Sequence, residues 1–187
     1  MVNRPSSVNT NTTTAPTERP VTNINVAIRS PPPVSVKMKW GTPTWLLLHT
    51  LVAKLKLEHF DEIKSSLISI VKTICINVPC PICSTHAAQY IKKINFNSIQ
   101  TKEDLQMFLF NFHNDINTRL KSPIFSKNEL IQKYSTGQLI NIFNNFMANY
   151  KVKNYAVRLI ADNMYRDRVM INITSWFKVN LQKFELN

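Results

Sequence analysis

Cys80-Pro81-Ile82-Cys83 sets two thiols at a spacing that closes a disulfide across the first turn of a helix. The partial positive charge of a helix N-terminus favours the thiolate, which makes such a pair redox-active. Further along the chain, His113, Asn114 and Asn117 fall at helical spacing and project from one side of a second helix. A reactive dithiol with a polar, hydrogen-bonding stripe is what a redox protein needs to address a bound organic cofactor. The competing chemistry is metal binding: Cys80 and Cys83 with His86 and either His49 or His113 would make a Cys2His2 zinc set, a zinc-stabilised helical binding module. That set leaves Trp45, Asn114 and Asn117 without a task. A thioredoxin-like site is weaker still, since no βαβ pattern surrounds the pair.

These residues need helices to position them. Gly41-Thr42-Pro43 opens the first, with Thr42 as N-cap and Pro43 in the first turn. Trp45, Leu48, His49, Leu51, Val52 and Leu55 follow at helical spacing. Residues 60–76 form a second helix on the stripe Ile63, Leu67, Ile70, Val71 and Ile74, broken by Val78-Pro79. A third runs from Cys80 to about Lys93. A fourth runs from Thr101, an N-cap with Asp104 at N3, to Leu120, and Pro123 stops it. Four helices with short joins predict a mainly α protein, a four-helix bundle over residues 37–126. Residues 126–150 read as helical, with Leu139, Ile142, Phe143, Phe146 and Met147 apolar. Tyr155 to Met170 reads as a helix and Val169 to Phe177 as a strand, so 127–187 is a mostly helical C-terminal extension. Residues 1–36, rich in Thr, Asn, Ser and Pro and ending in Pro31-Pro32-Pro33, read as a disordered arm, with order beginning near Lys39.

Composition narrows the function. The chain has 187 residues, 44% hydrophobic, enough for a real core. Two glycines argue against Gly-rich phosphate loops, and no Walker or dinucleotide fingerprint is present. No run of eighteen apolar residues offers a membrane span, and the N-terminus has no apolar signal core. The expected compartment is therefore the cytosol, nucleus or the interior of a particle. Three cysteines exclude a disulfide-framework protein, and a dithiol in a reducing compartment reads as catalytic. The net charge of +12 is spread along the chain, as a solvated basic surface that favours acidic proteins. No arginine-rich groove accompanies it, so nucleic acid is not the expected partner. Cys75, on the apolar stripe of the second helix, reads as a buried, inert thiol.

Three blocks in order resemble the Erv/ALR-type FAD-linked sulfhydryl oxidases. They are Gly41-Thr42-Pro43-Thr44-Trp45 through His49, Pro79-Cys80-Pro81-Ile82-Cys83 with His86, and His113-Asn114-Asp115-Ile116-Asn117 followed by Leu120, Pro123 and Phe125. The resemblance covers residues 39–126 and implies FAD held in the mouth of the bundle. It implies cofactor contacts from Gly41, Thr42, Trp45 and His49 on the first helix, and from Cys83 and His86 on the third. From the fourth it implies Phe108, His113, Asn114 and Asn117, with Arg119 and Lys121 facing the phosphates. The chain departs from the family pattern in four places. Phe108 stands where a tryptophan is usual, and Lys121-Ser122 replaces Gly-Lys. The cysteine pair that often staples the bundle and the second, shuttle C-x-x-C are both missing.

The resemblance also implies the chemistry. A dithiol-containing substrate or shuttle protein attacks Cys80, Cys83 lies against the isoalloxazine, and O2 is reduced to H2O2. It implies a homodimer. The form without a shuttle looks most like members from large cytoplasmic DNA viruses, placing it in the host cytoplasm or the virion.

Overall fold

The computed structural model describes Met1 and residues 39–151 and 160–186, which fall within one compact unit, Val34–Asn187, apart from Met1. The arm expected over 1–36 and residues 155–159 of the helix expected from Tyr155 lie outside the described residues. Among the described residues seven α-helices follow in order: α1 Gly41–Lys54, α2 Phe60–Ile76, α3 Pro81–Lys92, α4 Lys102–Arg119, α5 Lys127–Ser135, α6 Leu139–Tyr150 and α7 Ile160–Asn180. Among the described residues no strand forms; an isolated antiparallel bridge joins Leu55 to Phe184.

The ends of the helices follow from local chemistry. Cys80 is the N-cap of α3 and Pro81 its first residue, where a missing N–H costs nothing. Thr101 and Asp104 form a reciprocal capping box at α4, and Ser126 and Glu129 do the same at α5. At α1 the expectation of Thr42 as N-cap is corrected. The cap is Trp40, Thr42 is already inside the first turn, and the Thr44 hydroxyl donates to the Trp40 carbonyl at 2.7 Å.

α1 is the axis of the fold. Leu47, Leu48, His49, Thr50, Leu51 and Val52 are all buried in succession, so α1 is covered on more than one face. α4, α5 and α6 all pack against it, whereas α2 is flanked by α3 and α7. α6 lays Leu139, Ile142, Phe143, Phe146 and Tyr150 onto the shared core, and the Tyr150 hydroxyl donates to the Ile74 carbonyl at 2.9 Å. The turn into α6 sits close to α1 through Gly137. A Cβ there would lie 2.6 Å from Ile142 Cδ1 and 3.5 Å from Thr50 Cγ2.

The strand expected over Val169–Phe177 is corrected: this stretch is helix within α7. Its buried residues Val169, Met170, Ile173 and Phe177 recur at three- and four-residue intervals, a helical period. Phe177 stacks on Phe143 with ring centres 4.0 Å apart. Beyond α7 the chain straps across the end of α1. Lys56 N–H donates to the Lys183 carbonyl at 3.0 Å, and Glu185 N–H to the Lys54 carbonyl at 2.8 Å. The Lys102 ammonium donates to the Ala53 and Leu55 carbonyls at 2.9 and 2.6 Å, satisfying two more groups at that helix end.

Candidate functional site

Cys80 and Cys83 are joined as a disulfide with their Cα atoms 5.2 Å apart. The geometry follows from α3 beginning inside the motif. Cys80 is extended at the N-cap, and its sulfur accepts the Cys83 N–H at 3.3 Å. Ser84 holds this turn to α2: its hydroxyl donates to the Ile76 carbonyl. Pro81 and Ile82, between the two cysteines, are exposed.

Behind Cys83 lies an apolar pocket of about 540 Å3, counting the space at its mouth. Cys83 lines it and Cys80 does not. Gly41, Trp45 and Leu48 of α1 and Phe112 and Ile116 of α4 form other walls. No acidic or basic side chain lines it. A Cβ on Gly41 would meet nothing within 4 Å, so the mouth is open at that point.

Trp45 carries the site from this pocket into a second, polar cluster. Its ring stacks on His113, 4.0 Å between centres and 9° from parallel. His113 Nδ1 lies 3.1 Å from His49 Nε2, a single hydrogen bond in which one imidazole donates and the other accepts. His49 stacks in turn on Tyr134 of α5 at 4.5 Å. Burial, the neighbouring imidazole and the Lys133 charge lower the His49 pKa to about 3. Burial and Lys133 lower His113 to about 4. Both rings are neutral at pH 7, so the N–H of one imidazole can be donated to the bare nitrogen of the other.

Asn114, expected among the cofactor contacts, is bonded to the chain itself on both sides of its amide. Its amide N–H donates to the Phe125 carbonyl at 3.1 Å and its oxygen accepts the Phe125 N–H at 3.2 Å. This pair of hydrogen bonds to the backbone pins Phe125, whose ring lies 4.7 Å from His113 and 5.6 Å from His49. Asn117 supports it with a donor 3.4 Å from the Asn114 oxygen.

The remaining expected residues fall elsewhere. Thr42 is exposed and does not line the pocket. Phe108 sits one turn up α4 from Phe112, packed edge-on against Phe96 at 5.1 Å, so Phe112 and not Phe108 presents a ring to the pocket. His86 pairs with Asp115 at 3.1 Å and, with Ile82, Thr85, Gln89 and Arg119, lines a separate recess on the outside of α3. Lys121 is exposed in the left-handed region, φ 54°, directly after α4. Ser122 N–H reaches back to the Asn117 carbonyl at 2.8 Å and Lys121 N–H to that of Thr118 at 3.1 Å, a Schellman ending. The zinc alternative loses its ligands. Among the described residues no group of three or more His, Cys, Asp or Glu side chains is placed to hold a metal.

Sequence reasoning missed Phe112, Tyr134 and Lys133. The capping box Ser126-x-x-Glu129 was the available signal for the last two, since it starts a helix that carries both to α1.

A helical bundle built around α1, a C-x-x-C disulfide at the start of α3 and a Trp–His–His cluster beside it define a small redox protein of the thiol–disulfide class. The chain belongs to the Erv1 / Alr family, whose pattern matches residues 42–136. Protein 096R of Invertebrate iridescent virus 3, whose name assigns it provisionally to the FAD-linked sulfhydryl oxidases, is 28% identical over 96 residues. That alignment takes in 51% of this chain and 65% of the viral protein, so the chain spans about two thirds of that relative's length. The FAD-linked sulfhydryl oxidase of African swine fever virus (isolate Pig/Kenya/KEN-50/1950) is 30% identical over 105 residues, 56% of this chain and 87% of the relative. The mitochondrial FAD-linked sulfhydryl oxidase ERV1 of Saccharomyces cerevisiae is 25% identical over 97 residues, 52% and 51% respectively. No solved structure gives a significant match.

Proposed function

We propose that this chain is an FAD-dependent sulfhydryl oxidase that makes disulfides in dithiol partner proteins and reduces O2 to H2O2. The observation that carries the reading is the sidedness of the disulfide: Cys83 faces an apolar pocket walled by Trp45 and Phe112, while Cys80 lies outside it. The pocket suits a planar, apolar ring system, having aromatic walls and no charge. Trp45, Leu48, Cys83, Phe112 and Ile116 would hold the ring of FAD, and the neutral His49 and His113 would offer hydrogen bonds to its polar portion. Bound there, FAD would supply the two-electron redox chemistry between the reduced cysteine pair and O2.

The rest is done by the chain's own groups. A partner thiolate attacks Cys80 Sγ, the Cys80–Cys83 bond breaks, and Cys83 leaves as a thiolate. The partner's second thiol, deprotonated, attacks its own sulfur in the mixed disulfide. The partner leaves oxidised and Cys80 and Cys83 are left as a reduced pair. The N-terminus of α3 stabilises negative charge on both sulfurs, and Pro81 removes an N–H that would otherwise need a partner. The apolar lining keeps water from Cys83, and Trp45 keeps the histidine cluster in register with the pocket.

The proposal extends to three coarser matters. Residues 37–126 act as the oxidase bundle and 127–187 as its extension, with Tyr134 on the His49 ring as the support for a joint role. The chain works as a homodimer, on family resemblance. It acts in the host cytoplasm or virion, on the character of its viral relatives; among the described residues no helix is long and apolar enough to cross a membrane.

The test is the purified full chain. It is expected to be yellow with about one FAD per chain and to consume O2 in the presence of dithiothreitol. A colourless protein that takes up no added FAD and consumes no O2 would defeat the reading.

A further inference from the structure

Residues expected to contact the cofactor lie on α1, α3 and α4, yet the apolar pocket has a fourth wall. Cys75 of α2 and Val78, just beyond its end, line it beside Cys83 and Ala87. Cys75 is 4% exposed and is the free thiol of the chain, the other two cysteines being joined. Elsewhere the buried stripe of α2 is built from Ile63, Leu67, Ile70, Val71 and Ile74. Where the stripe reaches the pocket, the side chain becomes small. A core position that serves only packing closes its void, because an unfilled cavity costs stability. Here the void is kept, and its neighbours are the disulfide and Trp45.

We infer that Cys75 is a cofactor-positioning residue: it forms the α2 wall of the isoalloxazine pocket, and its small size sets how far the ring enters beside Cys83. This rests on the proposed FAD chemistry and adds to it a residue that the three sequence blocks do not contain. The thiol suits the task in two ways. It is polarizable and compact, so it packs against a ring without filling the space. Burial raises its pKa to about 12, so it stays protonated and does not compete with Cys83 as a thiolate.

The test compares Cys75→Leu and Cys75→Ser with Val71→Ala, a buried α2 position that does not line the pocket. FAD content, the flavin absorption band and melting of FAD-free and FAD-loaded protein are measured for each. Cys75→Leu should weaken FAD binding by about tenfold or more, while its FAD-free form melts no lower than the parent because the void is filled. Cys75→Ser should keep FAD and move the flavin band, since a hydroxyl replaces sulfur at the ring. Val71→Ala should lower both melting points and leave the band where it was. Normal FAD affinity in Cys75→Leu, or, if that variant does not fold, an unmoved band in Cys75→Ser, would overturn the inference and leave the oxidase reading intact. A parent chain that binds no FAD would remove both.

Discussion

Trp45 has two unlike neighbourhoods. On one side are a disulfide sulfur and hydrocarbon walls; on the other are two imidazoles, a phenol and a backbone clamp. The apolar side is suited to electron transfer between sulfur and a ring, because excluding water keeps a thiolate unsolvated and reactive. The polar side is suited to recognition, because neutral imidazoles donate and accept hydrogen bonds without burying charge. One function asks for a site with no polar partner, the other for fixed polar partners, and a single aromatic residue borders both.

The largest effects should come from the sulfur side. Cys83→Ser should remove dithiol oxidation by about a thousandfold or more, since it deletes the sulfur that faces the pocket. Cys80→Ser should be as inactive, yet leave Cys83 free to give a long-wavelength thiolate–flavin band. Visible spectra of the two variants check this, and the band appearing in Cys83→Ser would reverse the assignment of inner and outer sulfur.

Acid should break the other side first. His49 and His113 are held neutral in the fold and titrate near 6.5 when unfolded. Below pH 6.5 the unfolded chain therefore binds protons that the folded chain refuses. Stability falls as pH drops from 6.5 toward 4, by up to about 1.4 kcal/mol per histidine per pH unit. Melting between pH 7.5 and 5 measures it, and His113→Asn should flatten the slope. Glu62 and Asp104, whose carboxyls are held below their usual range by Lys183 and by backbone N–H groups respectively, contribute only at lower pH.

Asn114→Ala should release Phe125 and cost about 1–3 kcal/mol for its paired backbone bonds. Denaturant melts check the loss, and FAD affinity should fall with it. The smallest effect lies at the end of α4. Lys121→Gly should add roughly 1 kcal/mol, because glycine takes the left-handed backbone that lysine adopts at a cost. Unchanged FAD binding in that variant would show that Lys121 does not meet the phosphates.

The parts that could be read from sequence were those with local causes. The span of α2, the N-cap at Thr101 and the start of α3 at the first cysteine all follow from nearby residues. The disulfide was equally legible, and i, i+4 spacing puts Trp45 and His49 on one face of α1, whereas His113 comes from α4 and only the family resemblance placed it with them. What could not be read was long-range. Phe108 and Phe112 share a face of α4, and only the packing of Phe96 and Tyr90 decides which ring meets the pocket. Asn114 uses both ends of its amide on the Phe125 backbone, a pairing that no helical spacing announces. Val169–Phe177 carries β-branched residues, and tertiary burial on a helical period overrode that local preference. Tyr134 stacks on a histidine far away in sequence, which no local pattern encodes.

The strap at the end of α1 bears on when this protein becomes itself during synthesis. The Lys56 ammonium donates to the Gln182 carbonyl 126 residues later, and Lys183 and Glu185 pair with the last turn of the helix and the residues just past it. On the ribosome, α1 to α4 emerge with all three cysteines already present, while residues 182–185 are still to be made. The Cys80 and Cys83 pair therefore exists on a nascent chain before its central helix is sealed, and contacts of such long range form late and slowly. Closing of the core at this end waits for residues 182–185 rather than for synthesis of the cysteines.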